Sequence, residues 1–167
     1  MPKRILVIDD EWSIQRVLDA RLRSWGFEVE LASDAAAGLA SARARTPDAV
    51  LLDVRMPGVD GFEVMREFQK DPALRAIPVV FLSANVLDTV RHRALSMGAV
   101  AFLAKPYDAA TLQRVIEEAM KKAVAPPKKA TTNPADSESA GAAAKQRPIP
   151  TIEITGTDFA SEHTGPH

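Results

Sequence analysis

The sequence predicts an α/β fold, a doubly wound parallel sheet with helices on both faces, followed by a tail that lacks a core. Three observations lead there. Short β-rich apolar runs recur along residues 1–124. Segments with the 3.6-residue periodicity of amphipathic helices separate them. Near residue 125 the composition then changes abruptly: half of the 12 prolines lie beyond it, with only Ile149, Ile152, Ile154 and Phe159 as large apolar residues. Five βα units in succession imply parallel strands joined by right-handed crossovers. A segment such as APPKKATTNPADSESAGAAAKQRP buries too little apolar surface to offset the entropy of ordering it. The expected organisation is one folded domain over residues 1–124 and a low-complexity, disordered tail over 125–167.

Each element has its own signal. Ile5-Leu6-Val7-Ile8 is an unbroken apolar run, as expected of a strand buried on both faces. Ile14, Val17, Leu18, Leu22 and Trp25 fall on one face of a helix, and Gly26 stands where a helix end favours a left-handed residue. Phe27, Val29 and Leu31 alternate with Glu28 and Glu30, which predicts a second strand that is half exposed or near an edge. Asp34 is placed to cap an Ala-rich helix that runs to about Arg45 and stops before Pro47. Ala49–Leu52 is the third strand and Gly61–Lys70 the third helix. Val79–Leu82 follows Pro78 as the fourth strand, and a helix near Asp88 to Met97 closes at Gly98. Val100–Leu103 is the fifth strand. Asp108 caps a last helix that carries Leu112, Val115, Ile116 and Ala119.

Composition excludes several classes of function. The 167 residues carry 21 Lys+Arg against 22 Asp+Glu, a formal net charge of −1. Such a balance does not suit a protein built to neutralise nucleic-acid phosphates or an anionic membrane. There are no cysteines, so disulfides, thiolate catalysis and thiolate metal sites are ruled out. The three histidines are His92, His163 and His167, and no cluster resembles a zinc site. Apolar runs fall far short of the roughly 20 residues that span a bilayer, and the N-terminus lacks the h-region of a signal peptide. The expectation is a soluble, cytoplasmic protein without membrane insertion.

In parallel sheets of this kind, ligands bind beyond the carboxyl ends of the strands, at the switch point in strand order. Asp9, Asp10 and Glu11 follow the first strand, Asp53 the third, Ser83 the fourth, and Lys105-Pro106 the fifth. If the first and third strands are neighbours, three aspartates converge. Single acids after strands serve as caps and turn formers. A cluster of three is costly, because adjacent carboxylates repel and raise one another's pKa, unless a cation sits among them. All-oxygen ligation by few protein groups suits Mg²⁺. A divalent ion beside a carboxylate, a lysine and a hydroxyl describes a phosphoryl-transfer site, and a carboxylate can itself be the nucleophile. The chain has no GxxxxGK[ST] loop, so the phosphoryl donor is not expected to be a bound nucleotide.

ILVIDDE at 5–11, LLDVRMPGVDGFE at 51–63, VVFLSA at 79–84 and AFLAKPY at 101–107 resemble the receiver domain of bacterial two-component response regulators. The likeness covers roughly residues 3–123, in order and with family spacing. It implies a flavodoxin-like (βα)5 fold with strand order 2-1-3-4-5. It also implies that Asp53 is the phosphoacceptor, served by a histidine kinase or a histidine phosphotransfer protein. By the same resemblance Asp10, Asp53 and the backbone carbonyl of Arg55 ligate Mg²⁺, Asp9 acts through a metal-bound water, and Lys105 pairs with the phosphoryl oxygens. Ser83 is the hydroxyl that moves to the phosphoryl group, Phe102 occupies the aromatic switch position, and Pro106 that of the family's cis-proline. Ala84 is small and leaves room for a phosphohistidine. Arg55 and Asn85 stand where the family varies and tunes phosphoryl lifetime. Phe102 lacks the hydroxyl that a Tyr would bring.

The expected function is therefore that of a stand-alone response regulator. It signals by phosphorylation-dependent protein contact or onward phosphotransfer, with at most slow self-dephosphorylation. The 43 tail residues carry four basic side chains, too few for a winged helix or helix-turn-helix, so no direct DNA binding is expected. A Mg²⁺-dependent phosphatase with an aspartyl nucleophile is the competing enzyme. Haloacid-dehalogenase-like phosphatases place a second catalytic Asp two residues after the first, where this chain has Arg55. A non-phosphorylated scaffold is the third possibility, and the full set of Asp9, Asp10, Asp53, Ser83 and Lys105 argues against it. In the tail, Ile152 and Ile154 alternate with Thr151, Glu153 and Thr155, a period-two pattern suited to a recognition strand that docks on a partner.

Overall fold

The computed structural model describes residues 1–123. The expected tail and its isoleucine segment lie outside the described residues. Five strands and five helices alternate: β1 (Arg4–Ile8), α1 (Trp12–Ser24), β2 (Glu28–Ala32), α2 (Ala35–Ala44), β3 (Ala49–Asp53), α3 (Gly61–Lys70), β4 (Val79–Ser83), α4 (Asp88–Ser96), β5 (Ala101–Ala104) and α5 (Ala109–Ala123). The strands are all parallel and lie in the order β2-β1-β3-β4-β5. This is the fold that the resemblance implied.

The pleat divides the apolar residues of each strand between two cores. Leu6, Ile8, Val50, Leu52, Val79 and Phe81 face the side that holds Phe62, Val64, Met65 and Phe68 of α3 and Ala94 of α4. Ile5, Val7, Leu51, Val80, Leu82 and Leu103 face Leu18 and Leu22 of α1 and Leu112 and Ile116 of α5. Burial on both faces explains why β1, β3 and β4 are continuous apolar runs. β2 is an edge strand, and there the expected alternation fails: Val29 is buried but Leu31 is exposed.

Two sequence expectations need correction in detail. The fifth strand begins one residue later than Val100. Val17, placed on the buried face of α1, is 54% exposed. The stripe that meets the sheet is Gln15, Leu18 and Leu22, and Val17 sits about 100° around the helix from Leu18. The polar Gln15, absent from the expected face, is buried in this stripe. Gly26 and Gly98, with φ of 87° and 94°, end α1 and α4 in the left-handed conformation expected of them.

The start of α3 fixes the end of β3. Asp60 and Glu63 form a reciprocal capping box, with the Asp60 carboxylate accepting from the Glu63 N–H at 3.0 Å. The Gly61 N–H donates to the Val54 carbonyl at 2.9 Å. A Cβ at Gly61 would collide with the carbonyl oxygen of Asp53 and come within 3.1 Å of the Phe81 ring. Gly61→Ala should therefore push the end of β3 outward and cost about 2 kcal/mol, measurable as an earlier urea midpoint. An unchanged midpoint would mean that the turn relaxes freely.

Candidate functional site

β1 lies between β2 and β3, so the winding direction reverses there and a crevice opens beyond the carboxyl ends of β1 and β3. Asp9 and Asp10 follow β1, Asp53 ends β3, Ser83 ends β4 and Lys105 follows β5. The parallel register places these side chains at one edge of the sheet. Asp10, Trp12, Asp53, Arg55, Ala84 and Lys105 line the resulting open cleft.

Asp9 is fully buried. Its Oδ1 accepts from the Glu11 N–H at 2.9 Å, and its Oδ2 accepts from Lys105 Nζ at 3.1 Å. Asp53 is 7% exposed, and its Oδ1 lies 3.4 Å from the same ammonium. Asp10 is exposed at the mouth. Each of the three aspartates offers a carboxylate oxygen within 4.8 Å of the others. Lys105 is held by its own backbone, whose N–H donates to the Ser83 carbonyl at 2.8 Å, and the Lys105–Pro106 peptide is cis.

Electrostatics follow from this crowding. Burial, then the neighbouring Asp9 charge, push the Asp53 carboxyl up to about 6, and Lys105 only partly opposes them. Burial also acts to lower the Lys105 pKa, but the Asp53 and Asp9 carboxylates outweigh it and the net direction is upward. One ammonium thus serves two buried carboxylates. The site retains an excess of negative charge and a donor set made of hard oxygens, the chemistry that a divalent cation such as Mg²⁺ matches.

The remaining predicted residues are arranged around this cluster. Arg55 lines the cleft with an exposed side chain. The buried Ser83 hydroxyl accepts from the Asn85 N–H at 3.0 Å, and Asn85 Oδ1 accepts from the Leu87 N–H at 3.1 Å ahead of α4. Phe102 is not in the cleft. It pairs in register with Phe81 and packs, partly buried, against the α3–α4 side of the core. Sequence reasoning passed over Gln15, whose side chain reaches the Asp9 carbonyl. The available signal was a polar residue in the Leu18–Leu22 stripe.

The family model for the response regulator receiver domain matches residues 5–117. The chain belongs to this family. This receiver domain is 45% identical over 108 residues to the response regulator PleD of Caulobacter vibrioides, covering 65% of this chain but 24% of PleD. It thus spans about a quarter of that relative's length. Protein PilH of Pseudomonas aeruginosa is 37% identical over 113 residues, covering 68% of this chain and 93% of PilH. Among solved structures, the receiver domain of the sensor histidine kinase PA1611 from P. aeruginosa superposes with a TM-score of 0.67 at 35% identity. That match covers 72% of this chain and 99% of the other, which has a magnesium ion coordinated in its active-site cleft. The chemotaxis protein CheY4 of Vibrio cholerae gives a TM-score of 0.68 at 27% identity, covering 71% of this chain and 99% of that one. No helix among the described residues is long and apolar enough to cross a membrane.

Proposed function

We propose that this receiver domain accepts a phosphoryl group on Asp53 from a histidine kinase or histidine phosphotransfer protein, in a Mg²⁺-dependent reaction. It then acts by phosphorylation-dependent protein contact or onward transfer, with at most slow self-dephosphorylation. The observation that carries this is the position of Asp53: at the floor of an open cleft, 3.4 Å from Lys105 and grouped with Asp9 and Asp10. An Asp53 oxygen attacks phosphorus, the P–N bond to the donor imidazole breaks, and its electron pair returns to the ring. Asp9, Asp10, Asp53 and the Arg55 carbonyl would hold the cation, which when bound neutralises charge on the transferred oxygens. Lys105 supplies the second positive charge, and Ala84 leaves the approach open.

Trp12 is 71% exposed and lines the same cleft, so it reports on metal there. In a Trp25→Phe background its fluorescence should change saturably with Mg²⁺, and Asp10→Asn should shift the midpoint to higher concentration. Absence of any change up to tens of millimolar would contradict the metal assignment.

Phosphorylation draws the Ser83 hydroxyl away from the Asn85 N–H and toward a phosphoryl oxygen, which frees the turn ahead of α4 and space into which Phe102 turns. Moving such an equilibrium from 1:99 to 99:1 takes about 5.5 kcal/mol. One or two charge-assisted hydrogen bonds at roughly 1.5–3 kcal/mol each supply much of it. NMR shifts should therefore change around Phe102 as well as in the cleft. Changes confined to the cleft would rule this coupling out.

A further inference from the structure

Gln15 is the one uncharged polar side chain in the buried stripe of α1, and it is 7% exposed. Its Nε2 donates to the Asp9 carbonyl at 2.6 Å and to the Ala32 carbonyl at 2.8 Å. Both partners are carbonyl oxygens, so the NH₂ end of the amide must face them. The Ala32 carbonyl also accepts the Asp9 N–H at 3.1 Å. Among the described residues, Gln15 supplies the one hydrogen bond that the Asp9 carbonyl accepts.

That carbonyl belongs to the Asp9–Asp10 peptide, a rigid plane that also contains the Asp10 nitrogen and Cα. Turning the plane would re-aim Asp9 and Asp10 together. Asp9 is already fixed at its own N–H by Ala32, at Oδ1 by the Glu11 N–H and at Oδ2 by Lys105. Asp10 is exposed, and no side-chain hydrogen bond holds it among the described residues. Its direction is therefore inherited from the backbone, through the bond that Gln15 makes. A buried amide that only satisfied two carbonyls would serve stability alone. Here the carbonyl it holds is the hinge between two of the three clustered acids.

We propose that Gln15 is a positioning residue for the cation site: by holding the Asp9 carbonyl it sets the peptide plane that aims Asp10 at the metal. This rests on the Mg²⁺ reading given above. Residues that orient metal ligands typically change affinity by 10–100-fold when replaced, and the expected effect of losing this amide is in that range.

The test is Mg²⁺ titration of the full chain without phosphodonor, followed by Trp12 fluorescence in the Trp25→Phe background and by calorimetry, alongside urea melts in EDTA. Gln15→Met keeps the length and removes the donors, and it should raise the Mg²⁺ Kd at least about 10-fold. Gln15→Asn keeps the amide one methylene too short and should weaken binding too, which secures the result if the Met variant does not fold. Gln15→His places an Nε2–H at similar reach and should recover most of the affinity at pH 8. Unchanged Mg²⁺ affinity in Gln15→Met and Gln15→Asn, with melts alone altered, would overturn the proposal and leave Gln15 structural. If the parent chain shows no Mg²⁺ response, both this proposal and the metal reading beneath it fall; if the parent binds and the variants bind equally, only this one does.

Discussion

Lys105→Ala is expected to cost about 3 kcal/mol of stability at pH 7 in EDTA, and Mg²⁺ is expected to return most of it. The Lys105 ammonium contacts both Asp9, whose side chain is 1% exposed, and Asp53 at 10%. Removing it leaves two facing carboxylates without their cation, the situation in which breaking a buried pair is most damaging. Lys105 itself keeps some contact with water, which places the cost at the low end of the usual range. Divalent metal would replace the lost charge, and a ligand at 100 times its Kd adds about 2.7 kcal/mol. The deficit should shrink as pH falls through about 6 and Asp53 protonates. In the parent chain the contribution of Lys105, whose folded pKa is raised, is fully present below its unfolded value of 10.5 and lost as pH rises through the folded one. Paired urea melts in EDTA and in Mg²⁺ measure both effects. A variant as stable as the parent in EDTA would show that the acids do not depend on this lysine.

Asp53→Asn should have the opposite sign on stability while ending phosphorylation. The folded carboxyl is pushed up from 3.8 to about 6, so the folded state holds its proton more tightly than the unfolded state does. That contribution favours folding below pH 3.8 and is lost as pH rises through about 6. At pH 7 the ionised Asp53 is a burden on the metal-free fold, set by burial and the nearby Asp9, and the neutral amide relieves it. The variant should therefore melt later than the parent at pH 7 in EDTA, with the difference fading toward pH 4. Earlier melting at pH 7 would mean that the attraction to Lys105 outweighs burial and the Asp9 charge. Added Mg²⁺ should narrow the gap, because a cation held by the three acids would favour the parent's carboxylate.

Much of this was legible in the chain, for reasons specific to parallel sheets. β1, β3 and β4 are buried on both faces, so they read as unbroken apolar runs whose ends can be located within a residue. Locating the ends placed Asp9, Asp10, Asp53, Ser83 and Lys105 at one edge of the sheet. Strand order was not legible from periodicity, which says which face a residue takes and nothing about its neighbour strand. It came from the family resemblance. Val17 was misplaced because several apolar residues on a helix fit more than one stripe, and the sheet chose the one through Gln15. Leu31 alternates correctly with its neighbours, but an edge strand leaves it uncovered. The sharing of Lys105 between Asp9 and Asp53 depends on side-chain reach from the end of β5 to the ends of β3 and β1, which no local pattern encodes.

Phosphorylation of Asp53 in this cleft can be measured directly. The direct measurement is intact mass of the full chain after incubation with Mg²⁺ and acetyl phosphate, followed by peptide mapping. A single added HPO₃ is expected that requires Mg²⁺, is released by hydroxylamine as an acyl phosphate is, and maps to the peptide containing Asp53. Asp53→Asn should show none. A chain that gains no phosphate under these conditions, or an Asp53→Asn variant that gains as much as the parent, would contradict it.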